Sequence, residues 1–300
     1  MTRFLKVAVI LFFGFFISCK KDDDVTITPA NPFVEQYPVD LAKIEKFFVD
    51  YHMDVTPGTY DVTFTKIPNP NTGGLVSIKD QYITPNPNPY KTVTRDGIDY
   101  KIYYISLREG VTDRPTPVDS IFTSYRGRLL DNTSFDQTQD PLWFPLESVV
   151  TGWSEILPLF KSGTYTVNGN GSVNYDNYGA GVMFLPSAFG YYNAVKGVIP
   201  AYSPLIFNFK LNTVNYVDHD YDRVESRYED INGNGNLKDD DTDGDGKPNY
   251  LDTDDDGDGY ATKFEIKNPA GGYFDFANIP ICTADGNKKV HLTKTCKPTN

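Results

Sequence analysis

Histidine is scarce: three residues in 300, at positions 52, 219 and 291. They are far apart in the chain and no nucleophile motif accompanies them, so a hydrolase built on a Ser or Cys triad has no basis here. Cysteine is as scarce, at positions 19, 282 and 296. No second cysteine pair exists, and only His291 lies near Cys282 and Cys296, which argues against a zinc module. A basic excess is missing too. The net charge is −12, and a chain without clustered positive charge lacks the means to neutralise phosphates, so nucleic acid is excluded as a partner. The one long apolar run, Val7 to Ile17, is too short for a comfortable membrane span.

Aromatic residues, by contrast, are abundant, with 21 Tyr and 20 Phe, a composition that favours a β-rich exported protein of one or two domains. The acidity is confined to one place. Residues 218–265 carry 17 Asp or Glu against 5 Lys or Arg, which accounts for the whole net charge. That concentration points to cation binding.

The beginning of the chain reads as a secretory signal over residues 1–18: basic Arg3 and Lys6, the apolar run, then Ser18-Cys19. Cys19 sits where a bacterial lipobox places the lipidated cysteine, so a membrane anchor through Cys19 is expected. Lys20-Lys21-Asp22-Asp23-Asp24 is similar to the charged motif that sends Bacteroidetes lipoproteins to the cell surface; a plain solvated tether accounts for it equally well. An outer-membrane lipoprotein, facing the periplasm or the surface, is the expected location. With Cys19 set aside, Cys282 and Cys296 form an even pair that, in an oxidising compartment, most simply make one disulfide.

Residues 19–39 read as a tether. Asp40 can cap a helix carrying Leu41, Ile44, Phe47, Phe48 and Tyr51, ended by Pro57-Gly58, with His52 in its last turn. Residues 68–89, rich in Pro, Asn and Gly, read as loop, completing an N-terminal region of residues 40–94. Alternation over Ile98–Ile105 predicts a strand. Ile121–Tyr125, Arg128–Leu130, Val182–Leu185 and Leu205–Val214 are further expected strands, with a turn at Asp131-Asn132. Within residues 95–217, Leu146 to Phe160 is the one good helix candidate. Few helices among several antiparallel strands predict an α+β fold.

Within this stretch come Tyr125-Arg126-Gly127, Ser134-Phe135-Asp136 and Val149-Val150-Thr151-Gly152-Trp153, then Leu185 to Gly190, Val198-Ile199-Pro200 and Leu205-Ile206-Phe207. In that order and at those spacings, residues 95–217 resemble an FKBP-type peptidyl-prolyl cis-trans isomerase domain. The resemblance implies an antiparallel sheet wrapped over one short helix. It also implies a pocket with Trp153 as floor, with Tyr125, Phe135, Val149, Val150, Ile199 and Phe207 as walls, and with Asp136 as the polar group near the reacting carbonyl. Phe189 stands where the family usually has a tyrosine, and Leu142 where an aromatic wall is usual, so the activity is expected to be weakened. Residues 164–180 read as an insertion, either a longer hairpin or a flap beside the pocket.

In the acidic segment Asp230, Asn232 and Asn234, then Asp241, Asp243 and Asp245, then Asp252, Asp254 and Asp256 recur in an 11-residue phase. Oxygen ligands at alternate positions followed by glycine form a calcium-loop pattern. Started at Asp254 the match extends through Asp256, Asp258 and Gly259 to Glu265. The flanks are not strong helices, and the chained loops resemble thrombospondin type 3 repeats. A structural Ca²⁺ role follows, as a stalk or as a clamp against the isomerase domain. Residues 266–300 read as a short tail with no function assigned.

Two functions remain open at this level. One is a lipid-anchored isomerase acting on Xaa-Pro segments of exported or envelope proteins. The other is a non-catalytic peptide-binding domain on a calcium-stiffened stalk, serving surface adhesion or envelope assembly.

Overall fold

The computed structural model describes residues 30–297; the expected signal peptide, Cys19 and the charged motif after it lie outside the described residues. A six-stranded antiparallel sheet, of strand order β3-β4-β9-β10-β5-β6, organises the rest. Its strands are β3 (Tyr90–Arg95), β4 (Ile98–Arg108), β5 (Ser120–Leu129), β6 (Ser134–Pro145), β9 (Gly179–Leu185) and β10 (Leu205–Asn215). The hairpin joining β3 to β4 turns at Asp96-Gly97, both at positive φ (53° and 72°). That is the turn whose twist matches the flanking strands. The sheet therefore begins at Tyr90, five residues before the expected start of the domain.

Apolar side chains point both ways from the central strands. Met183, Leu185, Phe207, Phe209 and Leu211 face a core shared with Trp153, Ile156 and Phe160. Val182, Phe184 and Ile206, alternating with them, face a second core. The second core is closed by helix α1 (Phe33–Asp50) and by the hairpin of β1 (Tyr51–Val55) and β2 (Val62–Lys66). The N-terminal region thus covers the sheet face opposite the one packed on Trp153, Ile156 and Phe160. Polar groups on that face are answered by the hairpin. Asn208 accepts from the Val62 N–H at 3.3 Å and donates to Tyr60 O at 3.2 Å, while Arg128 Nη2 donates to Val62 O at 3.2 Å.

Several local expectations change. Helix α1 starts seven residues before Asp40 and takes in Pro38, so part of the expected tether is helical. Asp40 is no cap. It is buried inside the helix, where it accepts from Gln36 Nε2 at 2.7 Å and from the Ser187 N–H at 2.8 Å as well as the Ser187 hydroxyl. His52 is not in a last helical turn but on β1, with Nδ1 at 2.7 Å from Val76 O and Nε2 at 3.1 Å from Asp54. Residues 68–89 contain a short π-type helix, Lys79–Ile83, which Ile78 pins into the second core.

The single helix expected over 146–160 is three pieces: a 3-10 turn at Leu146–Ser148, helix α2 (Thr151–Ile156) and a second 3-10 turn at Leu157–Leu159. Val149 and Val150 between them are extended, as suits two successive β-branched residues. The insertion forms the hairpin of β7 (Thr164–Val167) and β8 (Val173–Asp176). It leans through Tyr175 on Phe122, ring centroids 5.4 Å apart.

Beyond β10 the acidic segment and the tail pack together. Val224, Ile266 and Ile279 form a small buried cluster, helix α3 (Thr262–Glu265) lies beside it, and Cys282 is disulfide-bonded to Cys296. Val118, Leu237 and Tyr250 join this module to the sheet domain. Tyr250 donates its hydroxyl to Glu147 at 3.2 Å, immediately before the extended Val149-Val150 pair. Among the described residues no helix is long and apolar enough to cross a membrane.

Among the described residues, Asp40 is the carboxylate that ties α1 to the turn after β9. Asp40→Ala removes the acceptor of the Ser187 N–H and hydroxyl while leaving both buried, and should cost about 2–3 kcal/mol of unfolding free energy, read as a lower urea midpoint with unchanged slope.

Candidate active site

A cleft of about 400 Å³ opens where β5, β6 and β10 meet α2. Its floor is Trp153, buried on α2, against which Tyr125 and Phe207 stand edge-on at 5.0 and 5.3 Å. Phe135 extends the wall, edge-on to Phe207 at 5.5 Å. The ring of Phe135 reaches this place because residue 127 is glycine. A Cβ there would fall 2.4 Å from Phe135 Cε2 and 3.1 Å from Phe207. Val149 and Val150, held extended by the break in the helix, line the opposite side.

Asp136 supplies the polar edge. Tyr125 Oη donates to its Oδ2 at 2.5 Å, and the Gln137 N–H donates to its Oδ1 at 2.8 Å. Arg126 in turn steadies Gln137, Nε to Oε1 at 2.7 Å. Burial, and then the bond to Asp136, push the Tyr125 hydroxyl above the usual tyrosine range. Tyr125 therefore stays a neutral donor. The carboxylate is fixed on both oxygens, beside an otherwise aromatic surface.

Seven of the nine expected pocket residues are brought together: Tyr125, Phe135, Asp136, Val149, Val150, Trp153 and Phe207. Phe189 and Ile199 are not. The 3-10 turn Ser187–Phe189 swings the Phe189 ring inward, where it meets Tyr100 at 5.1 Å under the Arg95 guanidinium. Ile199 is buried in the core behind the cleft. Tyr191, two residues past Phe189, lines the cleft instead and brings a hydroxyl back to that side. Phe144 likewise makes the wall that Leu142 does not, since Leu142 is 51 % exposed. Residues two apart on a strand share a face, and that spacing was the signal available in the sequence for Phe144.

Two of the expected acidic loops bring carboxylates together. Carboxylate oxygens of Asp241, Asp243 and Asp245 converge within 4.8 Å of one another, as do those of Asp254, Asp256 and Asp258. Backbone N–H groups of Gly246 and Gly259, at 2.9 and 3.0 Å, hold Asp241 and Asp254 in place. Glu265 adjoins the last trio. Its two oxygens are buried without a hydrogen-bond partner, and burial together with Asp256 raises its carboxyl to about 8. An all-oxygen donor set of this kind fits a hard cation. Asp230, Asn232 and Asn234 form a loop of the same shape, but the side-chain amides of Asn232 and Asn234 donate to Asp239. Asp252 does not join a carboxylate trio. It accepts from the Asp254 N–H and lies 3.8 Å from Lys247, so the third loop is framed from Asp254.

Residues 112–212 match the family described as FKBP-type peptidyl-prolyl cis-trans isomerase, and residues 219–290 match the family described as BamM C-terminal. A probable FKBP-type peptidyl-prolyl cis-trans isomerase FkpA of Neisseria meningitidis is 36% identical over 101 residues, covering 32% of this chain and 35% of that protein. The peptidyl-prolyl cis-trans isomerase Mip of Coxiella burnetii is 36% identical over 86 residues, 27% and 36% of the two chains. The outer membrane protein MIP of Legionella longbeachae is 32% identical over 89 residues, 28% and 36%. The chain thus spans about a third of the length of these curated relatives. It carries an FKBP-type isomerase domain, and the cleft lies inside the matched stretch.

The close approach at Gly127 is testable. Gly127→Ala should turn the Phe135 ring off the wall and cost about 1–3 kcal/mol from overpacking. A crystal structure of the variant, with its thermal midpoint, checks both.

Proposed function

We propose that this chain is an FKBP-type peptidyl-prolyl cis-trans isomerase that acts on Xaa-Pro segments of exported or envelope proteins. The observation that carries the reading is the Trp153-floored aromatic cleft with a fixed Tyr125–Asp136 pair at its edge. Rotation about a peptide C–N bond faces a barrier of about 18–20 kcal/mol because the bond has partial double-bond character. At the twisted midpoint resonance is lost, so the carbonyl is less polar and the nitrogen more amine-like. A dry aromatic surface suits that form better than the planar one, so desolvation in the cleft lowers the barrier by differential binding. In this chain Trp153 receives the proline ring, with Tyr125, Phe135 and Phe207 around it. Asp136 lies beside the reacting carbonyl and Tyr191 offers a hydroxyl to the peptide backbone.

The finer parts of the reading rest on the sequence. Lipidation of Cys19 would hold the protein at the outer membrane, where its clients pass. Ca²⁺ in the acidic loops would serve a structural role, with the converging carboxylates of Asp241–Asp245 and Asp254–Asp258 as donors. Because the module touches Glu147, beside the extended valines, loop order reaches the rim of the cleft.

A proline-isomerisation assay on a proline peptide tests the enzyme. Clear acceleration is expected. Trp153→Ala should reduce kcat/KM about tenfold or more, and Asp136→Asn, at an exposed edge where folding is undisturbed, by a smaller factor of about 3–10. No acceleration from a folded wild-type protein would transfer the cleft to a non-catalytic peptide-binding role. Adding a chelator should lower the thermal midpoint, because repulsion among uncompensated carboxylates opens the loops. Magnesium should restore it less well than calcium, being a poorer fit to a carboxylate-rich site.

A further inference from the structure

Asp222, Glu229 and Asp255 lie outside the 11-residue phase of the loops, yet they meet in the interior. Their carboxylate oxygens are within 4.8 Å of one another, and the side chains are buried, at 0%, 1% and 1% exposure. Both oxygens of Glu229, both of Asp255 and Oδ2 of Asp222 are buried without a hydrogen-bond partner among the described residues. Asp218 and Asp220 adjoin them, converging with Asp222 in a second trio. The five acidic groups form no ion pair with lysine, arginine or histidine among the described residues; the nearby cations Arg227 and Lys247 pair with Glu225 and Asp252.

Buried carboxylates without partners are expensive. An isolated buried charge costs many kcal/mol, and three side by side repel one another as well. Two solutions exist: the group keeps its protons, or a cation replaces them. Protonated carboxyls would donate hydrogen bonds to each other or to nearby acceptors, and five idle oxygens in one place leave that unmet. The backbone is shaped to hold Asp222 inward, with Tyr221 and Arg223 on either side both at positive φ (62° and 84°), a conformation that non-glycine residues adopt at a cost.

We propose that Asp222, Glu229 and Asp255 form a buried divalent-cation site, distinct from the loops, that takes calcium. Three carboxylates can supply up to six hard oxygens without exact octahedral geometry, as Ca²⁺ accepts. Magnesium keeps several waters, for which this interior is a poor host, and zinc would call for nitrogen or sulfur ligands. The ion ties the segment leaving β10, through Asp222 and Glu229, to the third loop, through Asp255. The ion thus cross-links two stretches of the acidic module itself, adding to its small apolar cluster. The site is independent of whether the loops themselves hold calcium.

The test uses the full-length chain purified in detergent, with Glu229→Gln, Asp255→Asn and, as a loop comparator, Asp241→Asn. Calcium retained after gel filtration in calcium-free buffer is counted, and thermal midpoints are measured in calcium and in EGTA. Glu229→Gln and Asp255→Asn should each retain one ion fewer than wild type. Both should melt lower than wild type in calcium, and at or above it in EGTA, where a removed charge relieves repulsion. Asp241→Asn should keep the ion that these two lose. If loop calcium is absent altogether, wild type still retains the one ion that Glu229→Gln removes. An unchanged ion count, with Glu229→Gln melting at or above wild type in both buffers, would overturn the site in favour of protonated carboxyls. Should a variant fail to fold, terbium bound to wild type serves instead. A calcium-displaceable component whose luminescence lifetimes in light and heavy water report fewer coordinated waters than the rest of the bound terbium is expected; its absence overturns the proposal.

Discussion

Strand β10 has to be covered on both faces, and most of the molecule follows from that. Phe207, Phe209 and Leu211 point to one side and Ile206 to the other, all buried. One cover is α2 with its flanking turns. The other is α1 and the β1–β2 hairpin. Each cover shapes something beyond the core. The α2 side cannot close completely, because the helix breaks at Val149-Val150, and the opening left above Trp153 is the cleft. The α1 side buries Val182, Phe184 and Ile206, and at its margin the buried Asp40 holds the turn Ser187–Phe189. That turn sends Phe189 inward and so leaves Tyr191 at the cleft. Core and site are therefore set by one packing requirement.

The sequence carried much of this and hid the remainder for identifiable reasons. Alternation was enough to place β4, β5, β9 and β10, and the ordered aromatic set was enough to gather seven cleft residues. Helix α1 was read short because residues up to Val39 looked like tether, yet the helix runs through Pro38, whose missing N–H leaves the Val34 carbonyl without its intrahelical donor. A helical period over Leu146–Phe160 concealed the break, since two β-branched residues keep the apolar spacing while leaving the helical backbone. Phe189 was displaced by a turn whose geometry depends on Asp40, 147 residues away, and no local pattern reports such a contact. The carboxylates of Asp222, Glu229 and Asp255 were passed over because the loop period drew attention to alternate positions, and Asp255 falls between them.

The acidic module and the sheet domain meet through few apolar groups: Val118, Leu237 and Tyr250. The module's own core is also small, with Val224, Ile266 and Ile279 and a disulfide from Cys282 to Cys296. Such a module has little hydrophobic burial to offset the entropy of ordering its chain. The disulfide supplies a cross-link, and the converging carboxylates place oxygen donors for a cation in the same module.

Helix α1 has one consequence that bears on how the chain comes into being. Its apolar residues Ile44, Phe47 and Phe48 pack with Phe184 and Ile206, which a ribosome delivers well over a hundred residues later. Throughout that interval the helix has no sheet to lie on, and an exposed apolar stripe is an invitation to wrong partners. Non-local closure of this kind also slows folding. The chain therefore passes through a long unfinished stage before α1 finds the sheet it was made to cover.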